Sequence, residues 1–144
     1  SKIFALAGLR LGWAYSSEKI IETLEKIRGP FNVNIVAQTI GSLILKEDNF
    51  LKKSIRHNMV WKKKLSAFVN SLGLETYETY ANFVLIRIDK AKFKKKTLIK
   101  KLTEKDIIIR DLDNYDLPEF IRVSVGTSLE MKKFMKTIKS IILK

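Results

Sequence analysis

The sequence predicts an α+β chain in which a small sheet is covered by helices. Three observations carry this. Apolar residues recur at helical spacing through the first half, the period shortens after Gly73 into runs rich in Val, Ile, Phe, Tyr and Thr, and a capping-box helix closes the chain. Forty-six per cent hydrophobic residues and two prolines in 144 residues indicate a folded core. The length suits one ordinary domain, or a small domain carrying the tail of a larger one.

Taken in order, Leu6 to Tyr15 carries Gly8 and Gly12 among apolar residues and predicts a turn entering a buried strand. Ser16 and Ser17 offer N-caps for a helix with Ile20, Ile21, Leu24 and Ile27 on one face, ended by Gly29-Pro30. A second helix is expected from about Asn34 to Leu45. A third runs from near Asp48 to Leu72, with Leu51, Ile55, Met59, Leu65, Phe68, Val69 and Leu72 on its stripe and Gly73 as its stop. At roughly 1.5 Å per residue this helix can bridge two domains. Strands follow at Glu75–Thr79 and Asn82–Asp89, a short helix around Phe93–Leu102, and strands at Ile107–Arg110 and Phe120–Val125. Thr127-Ser128-Leu129-Glu130 is a capping box, and the last helix buries Met131, Phe134, Met135, Ile138, Ile141 and Ile142. The helices-then-sheet layout puts a domain boundary near residues 46 to 50.

The absence of cysteine excludes a disulfide framework and a thiolate zinc site, and fits a reducing cytosol. The apolar stretches are too short to cross a bilayer, and no signal-peptide pattern is present. The opening Ser1-Lys2-Ile3-Phe4-Ala5-Leu6 is largely apolar and lacks methionine, so the chain is expected to be a piece of a longer polypeptide. Twenty-eight basic against fifteen acidic residues give a net charge of +13. A basic nucleic-acid-binding module is one account of that charge. Solvated helix faces are the other: lysine far outnumbers arginine, and Lys62-Lys63-Lys64 and Lys94-Lys95-Lys96 fall in helical patterns. Base readers lean on arginine with aromatics beside it, so no nucleic-acid partner is expected.

The segment Ser1-Lys2-Ile3-Phe4-Ala5-Leu6-Ala7-Gly8-Leu9-Arg10-Leu11-Gly12-Trp13 resembles the lysine segment of fold-type I pyridoxal-phosphate aminotransferases: Ser-Lys, then Leu-Ala-Gly-Leu-Arg, a residue, Gly and an aromatic. The resemblance implies that Lys2 is the Schiff-base lysine of pyridoxal 5'-phosphate and that Arg10, eight residues on, binds the cofactor phosphate. Physical chemistry agrees. An amine must be partly deprotonated to attack an aldehyde, and the neighbouring Ile3, Phe4, Leu6 and Arg10 offer an apolar and cationic setting. A phosphate dianion suits a guanidinium fork, with Gly8 and Gly12 allowing close backbone approach. A lone Ser-Lys pair would read as ordinary surface; the thirteen-residue pattern makes the difference.

Arg28-Gly29-Pro30-Phe31-Asn32-Val33-Asn34 resembles the Arg-x-Pro-Phe-Asn-Val-Asn segment of the histidinol-phosphate type within that family, with Gly29 where glutamine or proline is common; as bare sequence it is a helix-breaking loop. Arg110 ends the run Ile107-Ile108-Ile109, and Arg122 sits within Phe120-Ile121-Arg122-Val123-Ser124-Val125-Gly126-Thr127. A guanidinium among apolar residues is costly to bury unless an anion meets it, although a strand arginine can instead face outward or pair with Asp or Glu. Both positions are similar to the family's closing phrases, in which paired arginines twelve residues apart grip the substrate phosphate. Asp106 stands where that pattern has glycine. His57, the only histidine, is either helix surface or a capped core residue, and Asn82 in Ala81-Asn82-Phe83 is treated as structural.

The resemblance covers essentially the whole chain and implies the C-terminal part of the fold-type I α/β fold. Residues 1–47 would be the tail of the large cofactor-binding domain and residues 48–144 the small domain. It implies a cytoplasmic homodimer that moves the amino group of L-histidinol phosphate to 2-oxoglutarate in histidine biosynthesis, giving imidazole acetol phosphate and glutamate. Most cofactor contacts in that family precede the lysine, so the 144 residues alone are expected to be inactive. Siblings with the same chemistry, an aromatic amino acid aminotransferase or a threonine-phosphate decarboxylase, remain open alternatives, as does a non-catalytic remnant.

Overall fold

A computed structural model describes residues 2–88 and 94–143. The chain divides into two compact units, Ser1–Arg56 and His57–Lys144.

The first unit holds a 3-10 turn at Ala7–Leu9, helix α1 (Glu18–Ile27), helix α2 (Ile35–Ile44) and the start of helix α3 (Asp48–Ser71). α1 begins after Ser17 and stops at Arg28, as Ser16-Ser17 and Gly29-Pro30 predict. Its apolar stripe forms, but Ile20, Leu24 and Ile27 remain exposed, and Ala37 is the only buried residue among the unit's described residues. α2 is capped by Asn34, whose side-chain oxygen accepts from the Ala37 N–H. The strand predicted between Leu6 and Tyr15 does not form. The 3-10 turn lies there instead, and Trp13 and Tyr15 are 90% and 92% exposed. A buried strand must pair its backbone N–H and C=O groups, and the unit's other described elements are helices.

The second unit is built on a four-stranded antiparallel sheet of order β1-β2-β4-β3, with β1 at Glu75–Tyr77, β2 at Phe83–Arg87, β3 at Arg110–Asp111 and β4 at Phe120–Ser124. Helix α4 covers Lys95–Thr103 and helix α5 Ser128–Ile142. The β2–β4 ladder runs from Phe83↔Ser124 to Arg87↔Phe120. Alternation along a strand sends Val84, Ile86, Ile121 and Val123 to one face. There they join Leu65 and Val69 of α3, Leu98 and Leu102 of α4, and Met131, Phe134 and Ile138 of α5 in one buried cluster. Each such Leu or Ile contributes roughly 1.5–3 kcal/mol by leaving water.

From α3 onward the expected elements are present, with two shifts. In α3 the stripe moves: Trp61 is buried, donating its indole N–H to the Ser128 hydroxyl at 3.1 Å, while Ile55 and Met59 are exposed. An amphipathic pattern does not say over what length a long helix meets a core, and here the buried face begins only at Trp61. Strand β3 falls at Arg110–Asp111, two paired residues, instead of Ile107–Arg110. The expected positions Asp89 and Phe93 lie outside the described residues. The capping box is complete: the Thr127 hydroxyl accepts from the Glu130 N–H, and the Glu130 carboxylate accepts from the Thr127 N–H at 2.7 Å.

Asp106 explains the glycine that the family pattern has at its position. It sits at φ 56°, in the left-handed region, where α4 turns into β3. Asp tolerates that region better than most residues but still without glycine's freedom. Asp106→Gly in the full-length protein is therefore expected to raise stability by up to about 1 kcal/mol, read as a higher denaturation midpoint at unchanged m-value. Leu65→Ala, at a fully buried position, is expected to lower it by about 2–5 kcal/mol.

Candidate functional site

The expected chemical residues fall in two places, Lys2 and Arg10 in the first unit and Arg110 and Arg122 in the second.

Lys2 is exposed, and its carbonyl accepts from the Ala5 N–H at 3.1 Å. Ile3, one of the residues expected to surround it, is 42% exposed. Ala5 and Arg10 both adopt left-handed backbone, at φ 54° and 57°. That conformation is uncommon for residues other than glycine and marks a sharply folded segment. The Arg10 guanidinium folds back, its Nη1 donating to the Ala7 carbonyl at 2.7 Å. A guanidinium has five N–H donors, so most remain for an anion. Among the described residues no close approach is seen at Gly8 or Gly12; in the first unit the tight glycine is Gly41, where a Cβ would stand 2.5 Å from Leu11 Cδ2.

Asn34 has a role that the sequence did not show. While its side-chain oxygen caps α2, its Nδ2 donates to the Leu9 carbonyl at 3.1 Å, tying the residue before Arg10 to the helix start. An Asn before an apolar helical run signals the cap, but nothing in the sequence signals the second bond. Asn32 accepts from Arg28 Nη1 at 3.4 Å, and Phe31 is exposed at φ 54°.

Arg110 and Arg122 are brought together. They are direct register partners across β3 and β4, so both project from the sheet face opposite the core. Cross-strand pairing extends the row to Leu85 and Tyr77. Like charges directly opposite one another are destabilising, and neither guanidinium has a carboxylate partner among the described residues. Arg122 Nε is buried without a hydrogen-bond partner, and the guanidinium lies 5.1 Å from the Phe83 ring centroid. Arg110 lies 5.8 Å from the Tyr115 ring centroid. The contrast is Arg87 on the same face, which is bound by Glu119 at 2.7 Å and reaches Glu75 at 3.7 Å. The sheet thus neutralises one arginine and leaves an adjacent pair open to an anion.

His57 is the capped alternative: its Nε2–H donates to the Gly126 carbonyl at 2.8 Å. Asn82 has a backbone role, its carbonyl accepting from the Val125 N–H. Among the described residues no His, Cys, Asp and Glu cluster suits a metal, and no helix is long and apolar enough to cross a membrane.

The chain belongs to the aminotransferase class I and II family, whose model matches residues 1–138. It is 38% identical over 141 residues to the histidinol-phosphate aminotransferase of Maricaulis maris (strain MCS10), covering 97% of this chain and 39% of that protein. The chain thus spans about 39% of the length of the curated relatives it matches. Its fold matches that of the histidinol-phosphate aminotransferase from Clostridium acetobutylicum with a TM-score of 0.88 at 24% identity, over 98% of this chain and 43% of that one. The corresponding enzyme from Sinorhizobium meliloti, solved in complex with pyridoxal-5'-phosphate, matches at 0.86 and 23% identity, over 98% and 40%. The resemblance carried by the lysine and arginine motifs is borne out, and the small antiparallel sheet with its helices is part of the fold-type I aminotransferase architecture.

Two carboxylates are acidified by their partners. Lys95 holds the Asp111 carboxyl below its ordinary value, against the opposing effect of burial. The Thr127 N–H and hydroxyl do the same for Glu130. A folded-state pKa below the unfolded one gives stability that is full above the unfolded value, about 4, and lost as pH falls through the folded value. Melting temperature from these two groups should hold between pH 7 and 5 and drop below about pH 4. Asp111→Asn should start lower and lose less on acidification, which a thermal melt series in the full-length protein measures.

Proposed function

We propose that the chain is the C-terminal part of a pyridoxal-phosphate-dependent aminotransferase that transfers the amino group of L-histidinol phosphate to 2-oxoglutarate. The observation that carries the substrate class is the open arginine pair Arg110–Arg122 on a face where Arg87 has its own carboxylates. A phosphate dianion meets two guanidiniums with charge and fork geometry that a neutral group lacks. The naming of the relatives supports the particular substrate.

The residues present fit the cofactor's two demands on this part of the protein. Lys2 supplies an exposed primary amine for its aldehyde, and Arg10 supplies a guanidinium with donors left over for its phosphate. Bound pyridoxal phosphate supplies a carbonyl that condenses with amines and a ring that accepts electron density from the adjoining carbon. Lys2 Nζ holds the cofactor between turnovers. As a free amine, Lys2 Nζ would also be the group that takes up and returns the proton of the substrate's α-carbon. Arg10 fixes the cofactor's phosphate end, and Arg110 and Arg122 fix the substrate's. Glutamate and 2-oxoglutarate serve the second half-reaction, so the kinetics are ping-pong.

In this reading residues 1–47 complete a large cofactor-binding domain, residues 48–144 form the small domain, and the whole protein is a cytoplasmic homodimer. The 144 residues alone neither bind the cofactor tightly nor turn over.

The test is the visible spectrum of the full-length gene product with pyridoxal phosphate. A cofactor band that shifts with L-histidinol phosphate and returns with 2-oxoglutarate supports both class and substrate. A band indifferent to histidinol phosphate points to a sibling such as an aromatic amino acid aminotransferase, and release of carbon dioxide from threonine phosphate points to the decarboxylase. Lys2→Ala should abolish turnover and the borohydride-stable pyridoxyl adduct on the Lys2 peptide. Arg122→Ala should raise KM for histidinol phosphate about 10- to 100-fold, the loss of a charge-assisted contact.

A further inference from the structure

The arginine pair raises a structural problem: β3, which carries Arg110, is an edge strand of two paired residues, and one of those pairs sets two like charges opposite each other. Such a strand has little ladder to hold it and a repulsion working to open it. The remaining contacts of the segment supply what the ladder lacks.

Lys95, at the first turn of α4, has a side chain only 9% exposed, and its ammonium bridges two carboxylates, Asp111 at 2.5 Å and Asp113. Asp111 is the residue after Arg110 and points to the opposite sheet face, so the lysine grips the strand from behind. Asp111 also accepts from the Asp113 N–H at 3.2 Å, closing the turn that leads into the 3-10 segment Asp113–Tyr115. At the end of that segment Tyr115 places its ring 5.8 Å from the Arg110 guanidinium, within cation–π reach.

We propose that Lys95 and Tyr115 are positioning residues of the substrate-anion site: Lys95 clamps the turn through Asp111 and Asp113, and the clamped turn holds Tyr115 against Arg110 so that its guanidinium stays opposite Arg122. This inference rests on the phosphate-binding reading of the arginine pair. Burial works to lower the Lys95 pKa, yet the two carboxylates keep it above its ordinary value, so the clamp is ionic at any physiological pH. Both residues act through Arg110 and its strand. Their effect is on phosphate binding alone, and both together set how strongly the enzyme prefers phosphorylated over plain amines.

The experiment measures kcat and KM of the full-length holoenzyme for L-histidinol phosphate and for L-histidinol, which lacks the phosphate. Variants are Lys95→Met, Lys95→Arg, Tyr115→Leu, Arg110→Ala and the double variant Lys95→Met/Arg110→Ala. Lys95→Met and Tyr115→Leu should each raise KM for the phosphate ester about fivefold to tenfold, the scale of a cation–π or partly exposed ionic contact. Values of kcat, and KM for histidinol, should stay within about twofold. Lys95→Arg should recover most of the loss, and Lys95→Met should add nothing once Arg110 is alanine. Equal losses on both amines, or additive effects in the double variant, would show a merely structural lysine and overturn the proposal. If Lys95→Met does not fold, Tyr115→Leu alone carries the same comparison. Should Arg110→Ala itself fail to distinguish the two amines, the phosphate-binding reading falls first, an outcome separate from failure of the clamp.

Discussion

The second unit depends on the alternation of side chains along the five-residue ladder between β2 and β4. Ile121 and Val123 enter the core with Ile86 and Val84, and the same geometry obliges Arg122, between them, to leave by the other face. Register therefore does two things at once. It seals an apolar layer under α3, α4 and α5, and it places a guanidinium at a fixed point beside Leu85 and opposite Arg110. A slip of one residue would bury the charge and expose the core, so the packing that stabilises the sheet also holds the arginine pair in place.

Most of this was legible in the sequence because it follows from period. The 2-residue alternation at Phe120–Ser124, the 3.6-residue stripe of α5 and the Thr127–Glu130 box are local signals, and local chemistry decides them. The proposed site residues were legible for another reason, since Lys2, Arg10, Arg110 and Arg122 stand in motifs that resemble those of a known family. What the sequence hid was long-range. Nothing at Lys95 reveals that it will meet carboxylates sixteen and eighteen positions on, and the second bond of Asn34 reaches back twenty-five. The strand expected between Leu6 and Tyr15 failed for a related reason: an apolar run with glycines reports a tendency to be buried, and only neighbouring strands can turn that tendency into a ladder.

Asp106 is a small case of sequence and structure correcting each other. As a departure from the glycine of the family pattern it looks like drift in a turn. At φ 56° it shows what the glycine is for, and a short acidic side chain is among the few others that the position tolerates.

The two units differ sharply in how they use apolar surface. The second packs its large aliphatic residues into one cluster, whereas the first leaves Trp13, Tyr15, Ile20, Leu24, Ile27, Phe31 and Ile35 in contact with water and buries only Ala37 among its described residues. Among the described residues, cooperative apolar packing therefore resides in the second unit, and a truncation of one buried side chain there is felt by α3, α4, α5 and the sheet together.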